Sequence, residues 1–254
     1  MIQIYIQKIW EFDSSNEIEY TYAGRYGAKG EKRNKKVKPT PEQMEKQNQI
    51  NKENRVRRLI KANFKKYDLW CTLKYPKGTR KEISEVQKDL SKFTNKLRAQ
   101  YKKRGEQLKF ISRIEIGKLG GIHIHILINR IPDSDILISK CWTPGTVYFG
   151  SLYENGGFRK LAEYIVKKTE SSKMEDLDEK ERKQGTKYSS SRNLIRPVPK
   201  VKKYTRRTVR KIIENGPTPT KGYYIDEETL TIGDNQYTGY SYIKYIELRA
   251  DSPP

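Results

Sequence analysis

Gly120-Gly121-Ile122-His123-Ile124-His125-Ile126-Leu127-Ile128 is the stretch that decides how this chain folds. From Ile122 to Ile126 isoleucines alternate with histidines, and residues i and i+2 of a β-strand share a face. The three isoleucines therefore face a core, and both imidazoles face the other way. The chain has two histidines, and both are here. Neutral imidazole is the commonest metal ligand. Two ordinary strand histidines are the alternative, but one buried imidazole is easy to satisfy and two side by side are not.

Upstream, Leu108 to Gly117 reads as the preceding strand, and Gly117-Lys118-Leu119-Gly120-Gly121 turns it into the histidine strand as an antiparallel hairpin. By parity Arg113, Glu115 and Gly117 share a face, so Glu115 can come across from the histidines. An exposed strand carboxylate is the other reading of Glu115. Two imidazoles and one carboxylate leave coordination positions open. Such a set suits zinc in a hydrolytic site. It also suits manganese or magnesium with phosphate oxygens in the remaining positions. The metal would then act as a Lewis acid on a phosphoryl oxygen.

Charge favours phosphate. Lysine and arginine number 53 against 31 acidic residues, a net charge of +22. Such a surplus predicts a polyanionic partner rather than a fold. A membrane surface is the competing partner, but no run of about 18 apolar residues exists to span a bilayer. The start, Met1-Ile2-Gln3-Ile4-Tyr5, alternates like a strand and lacks the layout of a signal peptide. Cys71 and Cys141 have no metal or disulfide spacing and read as reduced core residues. The expected location is the cytoplasm.

The remaining elements follow from period and caps. Residues 1–23 read as a β-hairpin turning at Asp13-Ser14-Ser15-Asn16, and 24–39 as a basic, Gly-rich loop. Thr40-Pro41-Glu42-Gln43 opens a helix with the stripe Val56, Leu59, Ile60, Phe64. Leu69 to Tyr75 is a strand. Thr79 to Glu82 reads as a capping box before a helix with Ile83, Val86, Leu90, Phe93, Leu97 and Tyr101 inward. A short helix is expected over 133–142, a strand over 146–153 and a helix over 158–169. Residues 170–191 read as a charged, Ser-rich loop, and 200–211 as dense in Lys and Arg. Two Tyr-rich strands fill 222–249, joined at Gly233-Asp234-Asn235. Helices interleaved with antiparallel strands argue for an α+β sandwich. The chain divides into 1–39, 40–191 and 192–254, the last a basic, Tyr-rich extension.

A nucleophile candidate lies in the helix 158–169. Tyr164 flanks its apolar stripe, with Lys167 and Lys168 at i+3 and i+4. A nearby cation stabilises phenolate, which helps activate a tyrosine. Among 18 tyrosines, ordinary packing is the alternative for any one. Candidate nucleic-acid contacts are Lys74, Arg113, Lys160, Arg206 and Arg207, together with the basic segments 25–38 and 200–211.

Three segments, in order, resemble the HUH endonucleases, and more narrowly the single-tyrosine rolling-circle replication initiators of small plasmids and phages. Leu69 to Tyr75 resembles their first motif, Gly121 to Leu127 the histidine motif, and Leu161 to Lys168 the tyrosine motif. The resemblance spans about residues 65–170, and 40–191 would be the nuclease core. It implies an RRM-like, ferredoxin-like antiparallel sheet with the His-x-His strand central. It implies that His123, His125 and Glu115 hold one divalent cation, Mn2+ or Mg2+, against a scissile phosphate. Tyr164 would attack that phosphate, assisted by Lys167 or Lys168, leaving a 5′-phosphotyrosine and a free 3′-OH. Position 160 is lysine, where two-tyrosine relatives carry a second tyrosine. No GxxxxGK[ST] loop occurs in these residues, so strand separation would come from a host helicase in trans. The implied partner is single-stranded or hairpin origin DNA in a bacterial or archaeal cell. A transposase or mobilisation relaxase would share this chemistry. A non-catalytic binder stacking single-stranded bases on tyrosines and a two-His-one-Glu zinc hydrolase are the readings from other classes.

Overall fold

A computed structural model describes residues 3–23, 39–117, 121–152, 158–167, 187–235 and 239–250. In chain order the elements are β1 (Gln3–Glu11), β2 (Ser15–Tyr22), α1 (Pro41–Asn63), β3 (Leu69–Lys74), α2 (Ile83–Lys102), β4 (Phe110–Ile116) and β5 (Ile122–Ile128). There follow α3 (Ser134–Cys141), β6 (Thr146–Ser151), α4 (Arg159–Val166), β7 (Ser189–Ser190), β8 (Lys200–Thr205), α5 (Arg206–Asn215), β9 (Tyr223–Asp234) and β10 (Ser241–Arg249). The fold is α+β, with two five-stranded sheets ordered β8-β1-β2-β10-β9 and β6-β3-β5-β4-β7. All strand pairs are antiparallel. Two compact units result: Met1–Glu45 with Pro197–Pro254, and Lys46–Arg196. The hairpin at the start of the chain and the C-terminal strands thus share one sheet.

In the Lys46–Arg196 unit the histidine strand β5 is central. Strict alternation sends Ile124, Ile126 and Ile128 to one face, all fully buried with Leu73, Cys71, Phe93 and Leu97 against α2 and α3. Burying an isoleucine stabilises by roughly 1.5–3 kcal/mol, so this face anchors the strand. The opposite face is divided. Ile111, Leu127 and Trp70 pack with Val56, Leu59 and Ile60 of α1 and Ala162 and Ile165 of α4. Beyond that cover the same face carries His125, His123 and Glu115. The α4 helix starts at Phe158, a non-glycine residue at φ 63°. Its side chain is buried in the second cluster, and that packing holds the left-handed backbone in place.

Several local expectations shift. The α2 helix begins at Ile83, so the capping box is Glu82 with Glu85 rather than Thr79 with Glu82; the Glu82 N–H reaches Glu85 Oε2 at 3.0 Å. Thr79 is used instead in a turn, its N–H on the Pro76 carbonyl at 3.1 Å. The Thr40 cap is in place, with Gln43 N–H donating to Thr40 Oγ1 at 3.2 Å and Gln43 Oε1 accepting from Thr40 N–H at 2.9 Å. Ser189–Ser190 pairs with β4 rather than belonging to a loop. Residues 200–211 form the edge strand β8 and the start of α5, whose Val209, Ile212 and Ile213 pack on the tyrosine-rich sheet. Gly233 and Asp234 lie within β9, so its turn falls later. The basic loop 24–38 and most of 170–191 lie outside the described residues.

Candidate metal and tyrosine site

The site is assembled by strand register. Glu115 on β4 pairs with His123 on β5, and Arg113 with His125. On the other side of β5, Lys74 pairs with His123 and Thr72 with His125. Two rows of side chains therefore cross the face left open by α1 and α4. Donor atoms of Glu115, His123 and His125 all lie within 4.8 Å of one another. Glu115 Oε2 is 2.8 Å from His125 Nε2 and 3.8 Å from His123 Nε2.

Tyr164 enters this cluster from α4. Its hydroxyl donates to Glu115 Oε2 and lies 2.8 Å from His125 Nε2. The α4 residues Ala162, Ile165 and Val166 are buried on the sheet, which turns Tyr164 toward the histidine row. Gln49 of α1 donates to the Val166 carbonyl at 3.3 Å and fixes the end of that helix.

Each first contact has a support. His125 is stacked on Trp70, ring centroids 5.6 Å apart and 12° from parallel. His125 Nδ1 is 3.2 Å from Thr72 Oγ1. A metal on Nε2 leaves the imidazole proton on Nδ1, where Thr72 Oγ1 accepts it and fixes the ring. Arg113 is 2% exposed, and its guanidinium donates to the Tyr164 carbonyl while lying 5.7 Å from that ring. Its place is beneath the tyrosine, not on the surface where a nucleic-acid contact was expected.

The electrostatics suit a cation. Burial lowers the His125 pKa against the opposing pull of Glu115, which keeps the imidazole neutral and able to ligate. Burial raises the Glu115 carboxyl, but the Tyr164 hydroxyl and the histidines outweigh it, and the carboxyl stays ionised below its ordinary range. Two neutral nitrogens and a carboxylate fit Mn2+, Mg2+ or Zn2+. For Tyr164, burial and then Glu115 push the phenol pKa up, and Arg113 is the cation that opposes them. The expectation that a following lysine dominates this tyrosine is thus replaced. Lys167 is exposed, its N–H on the Tyr164 carbonyl at 3.4 Å. Lys168 lies outside the described residues.

Other expected contacts are placed as follows. Lys74 is exposed on the triad's face beside His123, and Lys160 is exposed on α4. Arg206 and Arg207 are exposed at the start of α5, in the other unit. Thr72, Trp70 and the buried role of Arg113 escaped sequence reasoning. The signal for Thr72 and Trp70 was their even parity on β3, which is interpretable only once β3 is known to neighbour β5.

Among the described residues no helix is long and apolar enough to cross a membrane. No curated protein and no solved structure matches the chain. Residues 68–173, which carry β3, the triad and Tyr164, match the model of a replication-associated protein family, the ORF2 type.

Proposed function

We propose that the chain is a replication initiator that nicks single-stranded origin DNA with Tyr164, a divalent cation at Glu115, His123 and His125 holding the scissile phosphate. One observation carries this reading: the Tyr164 hydroxyl already touches two of the three candidate ligands. A nucleophile and a cation site that share atoms can act on one phosphate. The cation, Mn2+ or Mg2+, would supply Lewis-acid polarisation and orientation of the phosphate oxygens.

The chain's own residues do the rest. Tyr164 Oη forms a bond to phosphorus as the bond to the 3′-oxygen breaks. The electron pair leaves on that oxygen, which gains the proton lost by the phenol. The products are a 5′-phosphotyrosine and a free 3′-OH that can prime rolling-circle synthesis. Arg113 holds the α4 backbone, and Trp70 and Thr72 hold His125. Lys167 or Lys168 would help neutralise the phosphate. The substrate is origin DNA in single-stranded or hairpin form in a bacterial or archaeal cytoplasm, with a helicase supplied in trans. The replication-associated family match over 68–173 favours this over a transposase or relaxase of the same chemistry.

The test is incubation with labelled single-stranded origin DNA and Mn2+, followed by a denaturing gel. Wild type forms a covalent adduct mapped to Tyr164. Tyr164→Phe folds and binds Mn2+ but forms none, since one oxygen makes both cleavage and adduct. His125→Ala loses the calorimetric Mn2+ signal. An adduct of normal yield from Tyr164→Phe would overturn the nucleophile. A wild type that never forms an adduct on any origin strand would leave a simple single-stranded DNA binder.

A further inference from the structure

Beside the triad the sheet ends in an aromatic that nothing covers. β6 is the edge strand, and Tyr148 is 69% exposed there. Its register partner is Thr72, whose own partner across β3 is His125. Tyr148 therefore lies on the triad's face, two strand spacings or roughly 10 Å from the His125 backbone. Lys74, in the next row opposite His123, places Nζ 4.9 Å from the centroid of the Tyr148 ring. An exposed ring with an ammonium over it is the pairing that takes a base on a π-face and a phosphate on a cation.

The flank is held firmly. Trp142 Nε1–H donates to the Lys74 carbonyl at 3.3 Å. Gly145 opens β6 so close to that carbonyl that a Cβ there would sit 2.1 Å from the oxygen. Only glycine lets β6 pack against Lys74, and Tyr148 follows three residues later. The pair thus stands on a fixed edge rather than a loop.

We infer that Tyr148 and Lys74 form a nucleotide subsite: Tyr148 stacks a base of single-stranded DNA flanking the scissile phosphate, and Lys74 pairs with that nucleotide's backbone. The inference rests on the reading of the triad as the place where a DNA strand is cut. It adds the path of the strand, across β3 and off the β6 edge. The stacking is tolerant of sequence, because every base has a π-face.

The experiment is fluorescence anisotropy on the full chain with a labelled oligo-dT of about 12 nucleotides. Tyr148→Ala weakens binding about tenfold with an unchanged salt slope, and Tyr148→Phe restores most of it. Lys74→Ala weakens binding and lowers the salt slope by about 0.7. Both side chains are exposed, so circular dichroism should match wild type. Wild-type affinity in Tyr148→Ala overturns the subsite, as does failure of Tyr148→Phe to rescue. Adduct formation is read in parallel. If wild type forms the Tyr164 adduct while Tyr148→Ala binds normally, the subsite falls and the nuclease reading stands. If no adduct ever forms but Tyr148→Ala binds poorly, the nuclease reading falls and the subsite stands.

Discussion

The two sheets are equal in strand number and different in what fills them. In the Lys46–Arg196 unit the sheet lies between helices on both faces, and its central strand buries aliphatic side chains on each. In the other unit the buried set is mostly aromatic: Tyr5, Tyr20 and Tyr245 with Ile18, Ile243 and Val209. Buried phenols need partners. Gln7 Nε2–H donates to Tyr20 Oη at 2.5 Å, and Tyr204 Oη–H donates to Gln7 Oε1 at 3.2 Å. Burial pushes the Tyr20 hydroxyl up to about 12. Tyr22 and Tyr240 stack at 3.7 Å, with the Arg206 guanidinium 5.4 Å from Tyr240. The aliphatic sheet is the better base for chemistry, because a converging site needs rigid supports. The tyrosine-rich sheet, faced by the basic helix α5, is built to present charge.

The largest effect that could break this contrast is on stability. Ile124 is fully buried, whereas Ile232 on β9 is 46% exposed. Ile124→Ala should cost about 3 kcal/mol and Ile232→Ala well under half of that, since only the first leaves a closed cavity. Urea titration followed by circular dichroism measures both. Equal losses would show that the second sheet is packed as tightly as the first.

Much of the first unit was readable because period and burial agree there. β5 alternates cleanly, and α2 carries an unbroken stripe, so both fold as their patterns demand. Glu115 was found by parity, because a hairpin partner is fixed by the turn. Tyr164 needed more: its convergence on Glu115 depends on how α4 lies over Leu127 and Ile111. Thr72 and Trp70 were hidden because β3 reaches β5 only through a non-sequential pairing. Charge hid α5, where Val209, Ile212 and Ile213 are separated by arginine and lysine. Arg113 misled for the same reason: an arginine on a strand face reads as surface until a helix terminus is found above it.

That arginine and Thr72 sharpen the comparison inside the site. Arg113→Lys keeps the charge but loses the fork that reaches the Tyr164 carbonyl. Misplacing the tyrosine by about an ångström should slow adduct formation about a hundredfold, with Mn2+ affinity unchanged. Single-turnover gels and calorimetry separate the two. Thr72→Val removes the partner of His125 Nδ1 and should weaken Mn2+ binding by about tenfold. If Thr72→Val leaves Mn2+ affinity intact, the ring is held by Trp70 stacking alone.

The smallest expected effect belongs to the other sheet. Arg206 and Arg207 are exposed at the start of α5, next to Lys200, Lys202 and Lys203 on the edge strand β8. If this unit presents charge to the DNA backbone, replacing both arginines by alanine should weaken binding a few-fold for all sequences alike. The slope of log affinity against log salt should fall by about 0.7 for each phosphate no longer neutralised on single strands, and by about 0.9 on duplex. Adduct yield at saturating DNA should not change, since neither residue belongs to the unit that holds Tyr164. Anisotropy across a salt series on single-stranded and duplex oligonucleotides measures the slope on each. A slope unaltered on both would detach α5 from DNA binding. A slope altered on duplex alone would assign the tyrosine-rich unit to the double-stranded part of an origin, leaving the single strand to the histidine sheet.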